Sequence, residues 1–440
     1  MTKVPSVNVL SRIINRSTVK WLYFGLGVKR WLVLLFLGVT ILGLGFAVIL
    51  VNIYRESTLP DVFYYLTLQF IPRFERGILL GALGIALVAI AIVKLSESLL
   101  SAFVTDDINI VEVLYRKRTR RKGPKIVALG GGTGLSTLLR GLKEHTDRLT
   151  AIVTVADDGG SSGKLRRQLG VLPPGDIRQC IAALADSEPL VTQLFQYRFG
   201  EGTGLDGHSF GNLFIAAMAG VTGNFERAIL ESSRVLAVRG QILPSTLQNV
   251  TLCADTRDPE PTGDGLARVA GESEITQRGT LSRIERVYLE PEHVPAYPGV
   301  VRAILDADLI IAGPGSLYTS VLPNLLVEDI QRALEASRAL NVYVCNVATQ
   351  PGETDNFTVE DHFDALTQHV GEGIFTHVVA NSNYNFTLPE HSHSKMVRPA
   401  GSPPMFNLIL ADLVDESQPW RHDPSKLAKE ILKYYETNRK

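Results

Sequence analysis

Hydrophobic positions in this chain follow two different rhythms. Residues 31–53 and 77–93 are continuous apolar runs without a charged side chain. From about Pro124 onward, short apolar runs alternate with stretches at helical spacing. Residues 126–129, 309–312, 342–346 and 376–380 read as buried strands, and a second strand is expected near 150–155. Helices are expected over 177–185, 211–219, 225–236 and 327–339. Repeated strand–helix alternation predicts an α/β fold with a largely parallel sheet.

The two long apolar runs predict an N-terminal transmembrane helical hairpin. The first is long enough to span a bilayer, and the second lies at the lower end of spanning length. Gly77 and Gly81 give the second run a small face for helix packing. A cleaved signal peptide is excluded for the first run, which is too long and starts too far into the chain. Lys3, Arg12, Arg16, Lys20, Lys29 and Arg30 precede it with no acid among them. Arg116, Lys117, Arg118, Arg120, Arg121, Lys122 and Lys125 follow the second run. The positive-inside rule then puts both termini and the main domain in the cytoplasm. The expected organisation is a basic N-terminus over 1–30, a hairpin over 31–93, a helical stalk and basic linker over 94–123, and one domain over 124–440.

Composition narrows the partners. Lys and Arg total 44 against 45 Asp and Glu, so charge gives no reason to expect nucleic acid. The basic run from Arg116 is read as lying against anionic lipid headgroups. Cys180, Cys253 and Cys345 are odd in number and widely spaced. They fit a reducing compartment and no disulfide framework or cysteine zinc site.

The candidate chemistry begins at residues 125–143, KIVALGGGTGLSTLLRGLK. Gly130, Gly131, Gly132 and Gly134 after a buried strand allow close approach of a ligand to backbone. A helix starting near Leu135 would aim its N–H groups and dipole at an anion, with Thr133 and Ser136 adding hydroxyls. The loop is not a dinucleotide fingerprint, because Leu135 stands where the third glycine of GxGxxG belongs. Nor is 159–164 a Walker A loop, because Asp158 and Leu165 replace its first glycine and its magnesium-binding hydroxyl. No nicotinamide or flavin cofactor is expected.

Asp157 and Asp158 sit at the tip of the second strand. One of them suits a magnesium ion bridging phosphate oxygens; the alternative is helix capping and turn formation before Gly159. Lys164, Arg166 and Arg167 follow, as phosphate partners or as a solvated face. Asp176 reads as an N-cap and as a wall of the site. His208, Ser209 and Asn212 open a strongly apolar helix. Gly313, Pro314, Gly315 and Ser316 repeat the strand–loop–helix geometry of the opening motif. Thr349, Glu353, Thr354 and Asp355 offer polar groups after another strand, and Asn381 ends the last.

Together the runs VALGGGTGLSTLLRGLK, TAIVTVADDGGSSGKLRRQLGVLPPGDIRQC, GHSFGNLFIAA, IIAGPGSLYTSVLPNLL and NVATQPGET closely resemble the CofD-like superfamily, in particular its YvcK-type branch of gluconeogenesis factors. The resemblance spans most of residues 124–385 and leaves out the hairpin, which looks like an added anchor. It implies a Rossmann-like domain at a prokaryotic cytoplasmic membrane, part of an expected homo-oligomer. The YvcK-type branch implies binding of a nucleotide sugar resembling UDP-N-acetylglucosamine. It also implies support of cell shape and envelope synthesis during gluconeogenic growth, with envelope-synthesis proteins as partners. The CofD enzymes imply instead transfer of phospholactate from a guanosine diphosphate carrier to a deazaflavin alcohol, with magnesium. By position, Gly131, Gly132, Thr133, Gly134 and Ser136 would hold the nucleotide phosphates, and Gly313 to Ser316 a second phosphate or the nucleoside. Lys164, Asp176, His208, Asn212 and Asn381 would border the ligand, and Asp157 or Asp158 would stand near a metal. No residue stands out as a nucleophile.

Overall fold

The structure is a computed structural model. It describes residues 28–56, 65, 68, 70–101, 120 and 122–439, except 187–188, 201, 203, 258–265, 281, 390–391 and 402–403. Residues 1–27, most of the expected stalk and most of the basic run from Arg116 to Arg121 lie outside the described residues. The chain divides into two compact units, Met1–Arg118 and Thr119–Lys440.

In the first unit, helices run Val28–Glu56 and Arg73–Ser101. Large apolar side chains such as Phe36, Leu42, Phe46, Ile78 and Leu83 are exposed on them. Among the described residues no single helix is long and apolar enough to cross a membrane, and the apolar stretch recorded in the first helix is Leu35–Ala47.

The second unit is built on a seven-stranded sheet. Its strands are β1 (Ile126–Gly130), β2 (Leu149–Val153), β3 (Gln241–Pro244), β7 (Leu309–Ala312), β8 (Leu340–Val344), β9 (His377–Asn381) and β10 (Asn407–Ala411). They lie in the order β10-β9-β8-β7-β1-β2-β3, and all pairs are parallel. β1 and β7 are buried along their whole length, which is why they read as unbroken apolar runs. Leu135, Leu138, Leu139 and Leu142 place one face of the Gly132–Leu142 helix in the core. The chain runs from β1 outward to β3, then returns to β7 on the other side of β1. That reversal opens a crevice at the carboxyl ends of β1 and β7, the usual ligand position in open α/β sheets.

Two parts were not expected. An antiparallel sheet, ordered β5-β4-β6, joins β4 (Thr251–Arg257), β5 (Leu266–Ala270) and β6 (Arg283–Glu290). Asp255 and Arg257 in β4, and Arg283, Glu285, Arg286 and Glu290 in β6, interrupt these strands, so they lack the apolar runs of the main sheet. A separate hairpin pairs β11 (Val414–Asp415) with β12 (Gln418–His422), ahead of the Pro424–Asn438 helix. The expected helix near Leu135 starts three residues earlier, at Gly132.

Candidate functional site

The two glycine loops meet in one cleft. After β1 the backbone is extended at Gly131, then turns through a left-handed φ of 60° at Gly132, where a side chain would be strained. The helix that starts here has no side-chain cap at Gly131, and beyond the Gly132 N–H, which the Asp176 carboxylate accepts, its amino end offers backbone donors to an anion. A Cβ on Gly134 would lie 2.4 Å from the Pro314 carbonyl oxygen and 2.7 Å from Gly315 Cα. The loops are thus in backbone contact, and glycine at 134 is what permits it.

The second loop is fixed from the strand next door. Asn346, just past β8, accepts from the Gly315 N–H at 3.1 Å and donates to the Gly315 carbonyl at 2.9 Å. It also donates to Gln350 Oε1 at 3.1 Å, and Gln350 Nε2 donates to Ser316 Oγ at 2.6 Å. Asn324 donates to the Gly130 carbonyl at 3.0 Å, tying the helix after the second loop to the end of β1. Residues 131–134, 137, 314–316, 320, 346–351, 394 and 420–422 line a cleft of about 280 Å³.

Acidic groups gather beside the first loop. The helix after the double proline starts at Gly175 with Pro174 in the cap position, so Asp176 is not its N-cap. The Asp176 carboxylate instead accepts the Gly132 N–H, and a Cβ on Gly131 would come within 2.3 Å of its Oδ2. Burial, with Asp157 nearby, pushes its pKa up to about 7. Burial and the charges of Asp157, Asp176, Glu353 and Asp158 push Glu272 up to about 9. Glu353, buried and accepting from Thr319 Oγ1 at 2.9 Å, is raised to about 7 by desolvation.

The paired acids have different work. Asp157 Oδ1 accepts the Gly159 N–H at 2.8 Å, an Asx turn, while burial raises its pKa. Asp158 Oδ1 accepts both the N–H and the hydroxyl of Ser273 at 3.0 Å, serving the first turn of the Glu272–Gly279 helix. Among the described residues no group of three His, Cys, Asp or Glu side chains is set to hold a metal by itself. Asp157 and Asp176 nevertheless offer hard oxygen donors whose charges destabilise one another. If magnesium binds beside the loop, this pair would supply its carboxylate oxygens, with waters and phosphate oxygens as its other ligands.

Lys164, His208 and Asn212 belong to a neighbouring network. Ser161 Oγ lies 3.0 Å from His208 Nδ1 and accepts from Asn212 Nδ2 at 3.1 Å. Asn212 Oδ1 accepts from Arg178 Nε at 2.9 Å, a buried arginine that sequence reading passed over inside an ordinary helix. Lys164 Nζ donates to the Asp206 carbonyl at 3.0 Å, and Arg166 to the Val250 carbonyl at 2.5 Å. Lys164 and His208 line a separate pocket with Arg167 and Asp206.

Ser136 is buried, and its hydroxyl donates back to the Gly132 carbonyl at 2.8 Å. The Asn381 amide is engaged with Asn383 and accepts the Leu413 N–H at 3.3 Å, outside the cleft lining. Gly313 joins its loop to β1 through its N–H and the Leu129 carbonyl at 2.9 Å. Thr137, Trp420 and Arg421, by contrast, line the cleft with no motif to announce them. They come from mid-helix and from a strand more than a hundred residues past the second loop.

Comparison with known proteins identifies the family. Residues 126–438 match the family model described as 2-phospho-L-lactate transferase CofD. A putative gluconeogenesis factor from Nostoc is 46% identical, covering 94% of this chain and 92% of the relative. The gluconeogenesis factor of Bacillus subtilis is 50% identical over 65% of this chain and 86% of its own. A crystal structure of a Bacillus halodurans protein is 44% identical, with a TM-score of 0.66, covering 70% of this chain and 99% of that one. The Nostoc match leaves too few residues unaligned to omit the N-terminal helices, so that segment is not an addition private to this chain. The chain belongs to the CofD-like family, in the branch whose members carry the name gluconeogenesis factor.

Proposed function

We propose that this protein is a membrane-anchored gluconeogenesis factor that binds a nucleotide sugar resembling UDP-N-acetylglucosamine. In this reading it supports cell shape and envelope synthesis when cells grow on gluconeogenic carbon. The observation that carries the ligand class is the contact of two glycine loops at one helix start, in a crevice at the carboxyl ends of β1 and β7. Among the described lining residues no hydroxyl is hydrogen-bonded to a histidine or a carboxylate, which favours binding over chemistry. Titration calorimetry of the full chain in detergent with UDP-N-acetylglucosamine tests it. Saturable binding is expected, and its absence would end the nucleotide-sugar reading.

A CofD-type phospholactyl transfer is the second reading, supported by the acids beside the loop. With magnesium bound at Asp157 and Asp176, the ion would neutralise charge on the transferred phosphate. The Gly132 loop would orient the donor. Turnover of a guanosine-diphosphate-activated phospholactate with a deazaflavin acceptor, lost in Asp157→Ala, would establish it; no turnover in magnesium rejects it.

The exposed apolar faces of the first unit support a hairpin anchor, with both termini and the second unit on the cytoplasmic side. Envelope-synthesis proteins are the proposed partners.

A further inference from the structure

We propose that Trp420 is the platform on which the base of a nucleoside diphosphate stacks while its phosphates occupy the glycine loops. The inference rests on the nucleotide reading of that cleft and specifies which of its residues recognises what. The cleft lining is of two chemical kinds. At 131–134 and 314–316 it presents backbone, hydroxyls and a helix start, which suit an anion. Its lining also includes Val347, Ala348 and Pro351, with Trp420 as the only large ring among the described residues. A volume of about 280 Å³ equals that of about nine liquid waters, more than an inorganic phosphate needs.

Exposure alone says little, since single exposed apolar residues are ordinary. Position says more. Trp420 is 40% exposed and sits on β12, in a two-stranded hairpin that joins no other sheet. Neighbouring His422 is buried, and burial lowers its pKa to about 4, so it anchors the end of the strand as a neutral ring. The hairpin is therefore held at its base, with the indole presented at the cleft. Base–aromatic stacking needs only two π-faces, so the indole tolerates uracil and guanine alike. A ligand with an anionic end and a flat heterocyclic end matches both.

The chain has three tryptophans, Trp21, Trp31 and Trp420. Replacing the first two with phenylalanine in the full chain leaves Trp420 as the indole emitter. UDP and GDP are expected to quench it, whereas inorganic pyrophosphate binds without quenching. Trp420→Ala should weaken both nucleotides about tenfold to a hundredfold and leave pyrophosphate affinity unchanged, and Trp420→Phe should recover most of the loss. Wild-type nucleotide affinity in Trp420→Ala, or an equal loss for pyrophosphate, overturns the stacking role. If neither nucleotides nor pyrophosphate bind the unsubstituted chain, the phosphate cleft itself falls, and the stacking with it.

Discussion

A single methyl group at position 134 tests the contact between the loops. Alanine there would put Cβ 2.4 Å from the Pro314 carbonyl oxygen, a distance that backbone atoms cannot relieve without separating. Overpacking of this kind costs about 1–3 kcal/mol. Gly134→Ala should lower the urea midpoint accordingly and weaken nucleotide-sugar binding by about tenfold, since about 1.4 kcal/mol in the bound geometry suffices. Unchanged binding would mean that the second loop does not shape the ligand site. A different residue predicts an acid limb. His362 is fully buried, with Nδ1 2.7 Å from the Thr358 carbonyl, and burial holds its pKa at about 4 instead of 6.5. The unfolded chain takes up this proton near pH 6.5 and the folded chain only near pH 4. Stability should therefore be full above about pH 6.5 and fall on the way to about pH 4, by on the order of 3 kcal/mol for this group. Chemical denaturation across that range should show a shallower fall in His362→Gln, and an identical fall would reject the assignment.

At the level of elements, Asp158 reaches across sequence to start a helix. It accepts two hydrogen bonds from Ser273, 115 residues away, so Asp158→Ala should cost about 1 kcal/mol, as losing an N-cap does. Magnesium-induced stabilisation should survive that change and disappear in Asp157→Ala, as read by thermal melts with and without the ion. Loss of the ion's effect in Asp158→Ala would transfer the metal role to it. The same scale shows what sequence can and cannot reveal. β1 and β7 were legible because buried parallel strands are written as apolar runs, and their loops because four glycines in five positions exceed what a turn needs. β4 and β6 were not, because charged residues interrupt their apolar positions and look like loop. The rest of the cleft escaped for another reason: Asn346, Thr137 and Trp420 have ordinary local contexts and become site residues only through long-range packing.

Across the whole molecule, the chain pairs an apolar N-terminal unit with a CofD-like α/β domain. If the first unit anchors the protein, alkaline carbonate should leave the full chain in the membrane pellet, and release into the soluble fraction would reject a spanning hairpin. Strand order has a consequence in time as well. β1 is flanked by β2 and by β7, and β7 begins 183 residues after β1 starts. The clamp from Asn346 and Gln350 comes later still. At ribosomal speeds of about 5–20 residues per second, roughly ten to forty seconds separate the emergence of the first glycine loop from that of its clamp. Until β7 emerges the edge of β1 that will receive it has no partner, and until the clamp follows the nascent chain carries half a pocket. The apolar N-terminus has by then already left the ribosome. A translational arrest before residue 309 would thus yield a chain that holds the first loop's full sequence and cannot bind.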